Sequence, residues 1–504
     1  MKVPFLIPPG IISDDTTFAS EGRWVDGNNV RFWRGTAETI GGWSIATNGL
    51  SGVCRNVLPW TQNDGTGVIA FGTHTKLYAY TGGAVADITP SSGFTAGQEH
   101  GAGGPGYGAG AYGAGTYGGS SASDYFPLTW SFGNWGQNLL ACPRGQTIFR
   151  WANNTGTPAA AIANAPDNVT YMIMTPERQI LALGCNEEVS GTYNPLCIRG
   201  CKSEDYDDWT TNSNDNVFEH ILTGSGRIVA GGMVGQYVAV WTDNSLYIGE
   251  YVGLPDQAYR FDPVETNCGL VGPNAFLIIN QTAYWITPDY QFYAWAPGSP
   301  PKLIQCPIRN DFKDNITPSQ FDKIAATGIG QYGEVWWFYP DARDGLECSR
   351  YVALSTIDGT WFRGQLERSA CCDAGPTQAP VFVTPDGTAY WHETGRTADG
   401  AALEWSLTSA DQYIDDARRF LVIRGIWPDF EDQQGAVSME LNLRKWPQAN
   451  TVYTKGPYSL PVNVDKKDFM ASGRVASVTF SGNSSPAFAR FGKPTWDVEV
   501  AGEF

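Results

Sequence analysis

Histidine is scarce in this chain: His74, His100, His220 and His392 are the only four in 504 residues. That removes the commonest general acid–base group and the commonest metal ligand from most of the sequence. His392-Glu393 opens like a zincin motif, but no second histidine stands at the fifth position. Gly492-Lys493-Pro494-Thr495 has the ending of a phosphate loop, yet the upstream glycine is missing and Pro494 separates the lysine from the threonine. No GxSxG elbow occurs. No enzyme, cofactor or metal is expected on these grounds. Charge is sparse as well, at 17% of residues, and its balance is acidic: net −18 with a pI of about 4.6. A protein that grips nucleic acid through phosphates needs a basic face, so tight binding is excluded, whereas an acidic wall past which DNA slides is not.

Long apolar runs are missing too. None approaches the roughly 18 residues of a membrane-spanning helix, so no membrane insertion is expected. The apolar start, Met1 to Ile12, is short, is broken by Pro4, Pro8 and Pro9, and has no small-residue cleavage site after it. It reads as an extended arm on a chain that folds in the cytoplasm. Ten cysteines (Cys54, Cys142, Cys185, Cys197, Cys201, Cys268, Cys306, Cys348, Cys371 and Cys372) are scattered without paired CxxC spacing. They read as reduced, buried small hydrophobes rather than as a disulfide framework. Helical periodicity is nearly absent. The best helix candidate, Ser409 to Leu421, reads equally as a loop running into a strand.

What the chain does have is 59 glycines and 66 aromatic residues, the composition of short antiparallel strands joined by many turns. One unit recurs: apolar alternation, a polar turn, then alternating aromatics. It occurs at Val68–Tyr80, Tyr237–Tyr247, Ala283–Trp295 and Val381–Trp391, and more weakly at Asn138–Trp151, Met172–Leu183, Val335–Tyr339 and Tyr351–Phe362. The clearer hairpins end near 80, 151, 247, 295, 361 and 391. Several of these intervals suit propeller blades of about 40–50 residues. The expected fold is all-β: a propeller of about six blades over 61–400, an N-terminal arm and first strands over 1–60, and a smaller β region over 405–504.

Two segments stand out as candidate sites. Gly97 to Gly119 holds eleven glycines, with Tyr107, Tyr112 and Tyr117 at five-residue intervals. It has no strand before and helix after, so its GxGxxG matches are not a dinucleotide fingerprint. It is expected to be a long loop, either free at the surface or ordered against a second copy through its tyrosines. The run Glu204, Asp205, Asp207, Asp208 is the one place where neighbouring carboxylates could serve a glycosidase or bind calcium, although a solvated acidic turn is the preferred reading.

Four motifs, in chain order, resemble the tail nozzle or hub proteins of short-tailed phages, the packaged-DNA stabilisation class. They are Gly22–Trp43 (GRWVDGNNVRFWRGTAETIGGW), the Gly-Tyr repeat, Ser203–Trp209 (SEDYDDW) and Ile426–Val437 (IWPDFEDQQGAV). The resemblance implies a virion structural protein assembled as a homo-oligomeric ring, usually six copies. Such a ring would sit below the portal adaptor, contact tail fibres or spikes, and enclose a conduit that retains packaged double-stranded DNA and later conducts it. Two other functions fit an aromatic-rich propeller: a module that binds a host receptor or a fibre, and, more remotely, a glycoside hydrolase.

Overall fold

The computed structural model describes residues 2–101, 126–255, 257–413 and 417–502. Tyr107, Tyr112 and Tyr117 lie outside the described residues. The fold is all-β, built almost wholly of antiparallel four-stranded sheets. Among the described residues one α-helix, Arg309–Asn315, interrupts the strands. Ser409 to Leu421 supplies no helix there: Leu403–Ser409 and Phe420–Trp427 are strands.

Seven sheets follow one another in sequence, each an up-and-down meander. Their opening strands are Cys54–Thr61, Trp130–Trp135, Tyr171–Met174, Ile228–Val234, Phe276–Ile279, Ala325–Ile329 and Ala370–Cys372. Each opening strand lies against the next, and Ala370–Cys372 lies against Cys54–Thr61, so the succession of contacts returns to its start. The seventh sheet takes its fourth strand, Trp43–Thr47, from near the N-terminus.

The sheet count differs from the six hairpin units expected. The third sheet is the one read only as a weaker hairpin, Met172–Leu183, and not among the clearer six; its second strand, Ile180–Asn186 (ILALGCN), carries no aromatic and is bulged between Leu183 and Cys185. The first sheet also begins earlier than residue 61, at Cys54.

Apolar residues on facing sheets fill the space between them. Trp60, Val68, Leu77, Trp130, Leu139 and Phe149 form the core between the first two sheets. Gly72 is required there: a Cβ at that position would stand 2.5 Å from the indole of Trp130, whose ring nitrogen donates to the Thr73 carbonyl at 2.8 Å. In the sixth sheet Glu334–Pro340 (EVWWFYP) is buried at every position, as expected of a strand covered on both faces. Nine of the ten cysteines are buried and Cys372 is half-buried, in line with their reading as small hydrophobes.

The remaining strands form three further sheets. The region expected at 405–504 is not self-contained, because every one of these sheets pairs N-terminal with C-terminal strands. Trp24–Asn28 joins Leu403–Ser409, Lys2–Pro4 joins Thr495–Ala501, and Thr36–Thr39 joins Phe488–Phe491. The apolar arm is thereby accounted for: Phe5 meets Trp24 and Trp496 edge-on, and Ile11 is fully buried. In Val437–Arg444 the strict alternation places Val437, Met439, Leu441 and Leu443 inward, the pattern of a sheet wet on one face.

Candidate functional site

Residues at or near the starts of several sheets meet in one polar cluster. Arg55, in the first sheet, makes a bidentate pair with Glu347 at 2.7 and 2.9 Å and donates to the Glu99 carbonyl. Lys323, just before the sixth sheet, donates to the same Glu347 and to the Leu346 carbonyl, and sits 2.7 Å from His100 Nδ1. Asn274, before the fifth sheet, donates to the Arg55 carbonyl. Arg144, beside the start of the second sheet, pairs with Asp322 at 2.7 Å. Gln320 holds the backbone of Gly101 by both its amide groups. The 3₁₀ segment Pro318–Lys323, with residues Glu99–Gly101, thus ties the first, second and sixth sheets together, and Asn274 joins the fifth to Arg55.

Burial pushes the Lys323 ammonium down, as does Arg55 beside it, while Glu347 opposes both. Burial would raise the Glu347 carboxyl, but the hydrogen bonds and charges of Arg55 and Lys323 outweigh it and hold the group below its ordinary value. Glu99, His100 and Glu347 bring ligand atoms within 4.8 Å of one another, which on geometry alone resembles a metal site. The ammonium of Lys323 fills that role already, lying 2.7 Å from both His100 Nδ1 and Glu347 Oε1. A divalent cation there would face an ammonium at contact distance, so the donor set does not suit a metal.

Arg227, before the fourth sheet, behaves differently. Its guanidinium lies 4.3 Å from the ring centroid of Phe126, and that of Arg144 lies 4.1 Å from the same ring. Among the described residues no carboxylate reaches ion-pair distance of Arg227. Burial lowers its pKa, and the nearby Arg144 charge adds to the effect.

A second buried cluster joins the sixth and seventh sheets to the N-terminal strands. Arg31 is fully buried, donates to Glu334 at 3.0 Å and to both oxygens of Glu393 at 2.7 and 2.8 Å, and lies 3.7 Å from the Tyr332 ring centroid. The Trp336 indole also donates to Glu334, at 2.8 Å. One cation faces two carboxylates, and burial pushes Glu334 up to about 7 against the opposing pull of Arg31. Next to it, His392 is buried and accepts from Arg368 Nε at 3.0 Å and Nη2 at 2.9 Å through the same ring nitrogen. Burial and the two arginines hold His392 well below its ordinary value, and burial brings Arg368 down to about 10. His392-Glu393 is thus a structural pair, and neither side chain is left to act on a substrate.

The acidic run falls in the connection between the third and fourth strands of the third sheet. Glu204, Asp205 and Asp207 are exposed; Asp208 is half-buried and lies 3.6 Å from Lys202. The two aromatics of that motif anchor it: Trp209 is buried, and Tyr206 meets Trp135 edge-on and bonds Arg150. The carboxylates thus sit on a connection anchored by its two aromatics. The clusters at Arg55, Arg31 and Arg227 were not expected from sequence. Arg55 stands 292 residues from Glu347, Arg31 stands 303 from Glu334 and 362 from Glu393, and Arg227 lies far along the chain from Phe126, so no local pattern marks them.

No family model matches the chain, and no curated protein matches it. Solved structures similar to it include a catalytically inactive virginiamycin B lyase from Staphylococcus aureus bound to quinupristin, at TM-score 0.41 and 10% identity, covering 68% of this chain and 96% of that one. The β-propeller domain of Cps50 (Swd1) from Myceliophthora thermophila gives TM-score 0.41 and 10% identity over 69% of this chain and 99% of that one. The computationally designed Ika8 protein gives 0.37 and 10%, over 69% and 99%. No residue role is carried over from any of them.

Proposed function

We propose that the seven sheets form a closed seven-bladed propeller and that the chain is a non-enzymatic structural subunit of a phage tail nozzle or hub. In this reading several copies surround a conduit for packaged DNA and contact the adaptor above and fibres or spikes at the rim. The conduit in this reading lies between copies, not within one. The observation that carries the reading is the distribution of charge. Residues 51–400 hold 33 acidic against 18 basic residues, while the remaining strands are nearly balanced. A negative body bordering a channel lets DNA pass without adhering.

Exposed apolar tips support assembly. The hairpin Ser245–Leu254 and Gln257–Thr266 runs past its neighbouring strand and exposes Tyr251, Val252 and Leu254. A second hairpin exposes Trp446, Val452 and Tyr453. Apolar side chains presented on projecting tips suit contact with another chain. Negative-stain microscopy of purified virions with an antibody to this chain tests the proposal. A ring of label at the tail is expected, and a monomeric chain absent from virions would overturn it.

A further inference from the structure

A cleft of about 480 Å³ opens beside the start of the fourth sheet, lined by Ser225, Gly226, Arg227, Asp243, Asn244 and Phe321 among others. The volume suits a monosaccharide or a similarly small polar molecule. Three features of the lining bear on what it holds.

The first is Arg227. A half-buried guanidinium with no carboxylate in ion-pair distance among the described residues is only partly compensated, Asp322 and Asp243 opposing its burial from longer range, and a desolvated charge is costly unless something meets it directly. Phe126 offers one face of contact but no counter-charge. The second is the approach to it. Gly224 and Gly226 have φ of +156° and +102°, and a Cβ on Gly226 would meet Asp243 Oδ1 at 2.1 Å. Only glycine lets this exposed loop, Thr223–Arg227, lie so close to Asp243. The third is the mixture of polar groups. Asp243 accepts from the Arg227 backbone N–H at 3.2 Å and retains a carboxylate able to accept more; Asn244 and Ser225 are exposed beside it.

A bare oxyanion would be drawn by Arg227 and repelled by Asp243. A ligand with one anionic group and several hydroxyls satisfies both, its charge on the arginine and its hydroxyls donating to Asp243. Phe321, Pro288, Leu270 and Val271 offer an apolar wall for the C–H face of a ring.

We propose that this cleft binds an acidic sugar, with Arg227 as the carboxylate-binding group and Asp243 and Asn244 as the hydroxyl-binding groups. The proposal does not depend on the assembly suggested above. The test is saturation-transfer NMR and calorimetry on the full chain with three probes: glucuronate, glucose and inorganic phosphate. Glucuronate is expected to bind, glucose to bind at least ~10-fold more weakly, and phosphate to bind no better than glucuronate. Arg227→Met should weaken glucuronate by about tenfold or more. Ser225→Trp, on an exposed loop where folding is not at stake, should block the cleft sterically. Equal binding of glucose, tighter binding of phosphate, or glucuronate binding unchanged in both variants would each overturn the proposal.

Discussion

The Arg31 cluster makes a pH prediction whose sign and size follow from its geometry. Glu334 has an ordinary value of 4.5 and is pushed up to about 7 when folded, because burial and the neighbouring Glu393 outweigh Arg31. A carboxyl whose folded pKa is raised binds its proton more tightly in the native state. Its contribution is fully present below about pH 4.5 and is lost as pH rises through about 7. Between about pH 4.5 and about pH 7, at about 1.4 kcal/mol per pH unit, about 3 kcal/mol is lost. The wild-type profile will not show this cleanly, because the buried histidines pull the other way. His392 is held well below its ordinary value, and His74 and His220 are lowered by burial. Each of those groups contributes stability above about pH 6.5 that is lost on acidification. Glu334→Gln isolates the carboxylate, since it deletes one titration and leaves the histidines in place. The amide meets Arg31 and Trp336, both donors, with one oxygen. That mismatch adds a fixed cost which does not vary with pH. The quantity to measure is the stability difference between variant and wild type, from urea midpoints followed by tryptophan fluorescence between about pH 5 and pH 8. The variant should gain on the wild type by about 2–3 kcal/mol across that range. Parallel profiles would show that Glu334 is ionised throughout and that Arg31 alone satisfies both carboxylates.

Other outcomes follow from the same structure. Glu347→Ala leaves Arg55 and Lys323, both buried, without their shared carboxylate, and should cost about 3–5 kcal/mol in urea denaturation. Gly72→Ala places a methyl against the Trp130 indole and should cost about 1–3 kcal/mol, read as a lower melting temperature. Ellman's reagent should find at most about one slowly reacting thiol in the folded chain, Cys372, which burial raises to about 12, and ten after denaturation. Leu254→Asp with Trp446→Asp should leave the monomer's melting temperature unchanged, because both side chains are more than half exposed, and should abolish any higher species in sedimentation.

The strands were legible in sequence wherever aromatics alternate across a tight turn. Val68–Tyr80, Tyr237–Tyr247, Ala283–Trp295 and Val381–Trp391 are all second-to-third-strand hairpins of their sheets. In that position both strands are covered on both faces: Val68 and Leu77 pack with the second sheet while Phe71 and Tyr78 pack with the seventh, so both strands carry large apolar side chains. The third sheet is legible only weakly, at Met172–Leu183, because its interfaces are filled by Leu181, Leu183, Cys185 and Ile198, whose small or aliphatic side chains leave no such rhythm. The 3₁₀ segment Pro318–Lys323 escaped for another reason. Its buried residues are Gln320, Asp322 and Lys323, polar side chains held by distant partners, which hydrophobic periodicity cannot register.

The same distinction governs the two ends of the chain. Gly22–Trp43 and Ile426–Val437 were read as separate motifs, one in an arm and one in a C-terminal region, yet Thr36–Thr39 and Phe430–Gln434 flank the same strand, Phe488–Phe491. Arg490 in that strand holds Glu38 at 2.9 Å and Asp432 at 3.3 Å, one residue from each motif. Trp43 then carries the chain into the seventh sheet, where its ring stacks on His392 at 5.1 Å. The N-terminal segment thus completes the last of the seven sheets and also three sheets built with the C-terminus. Since loop closure over so long a separation is entropically costly, these pairings are expected to form after the local meanders. A chain lacking residues 1–47 would lose the seventh sheet's outer strand, one strand from each of two remaining sheets and two strands from the third. The seven-sheet body and the terminal sheets are for that reason coupled in stability, although they are built from different parts of the sequence.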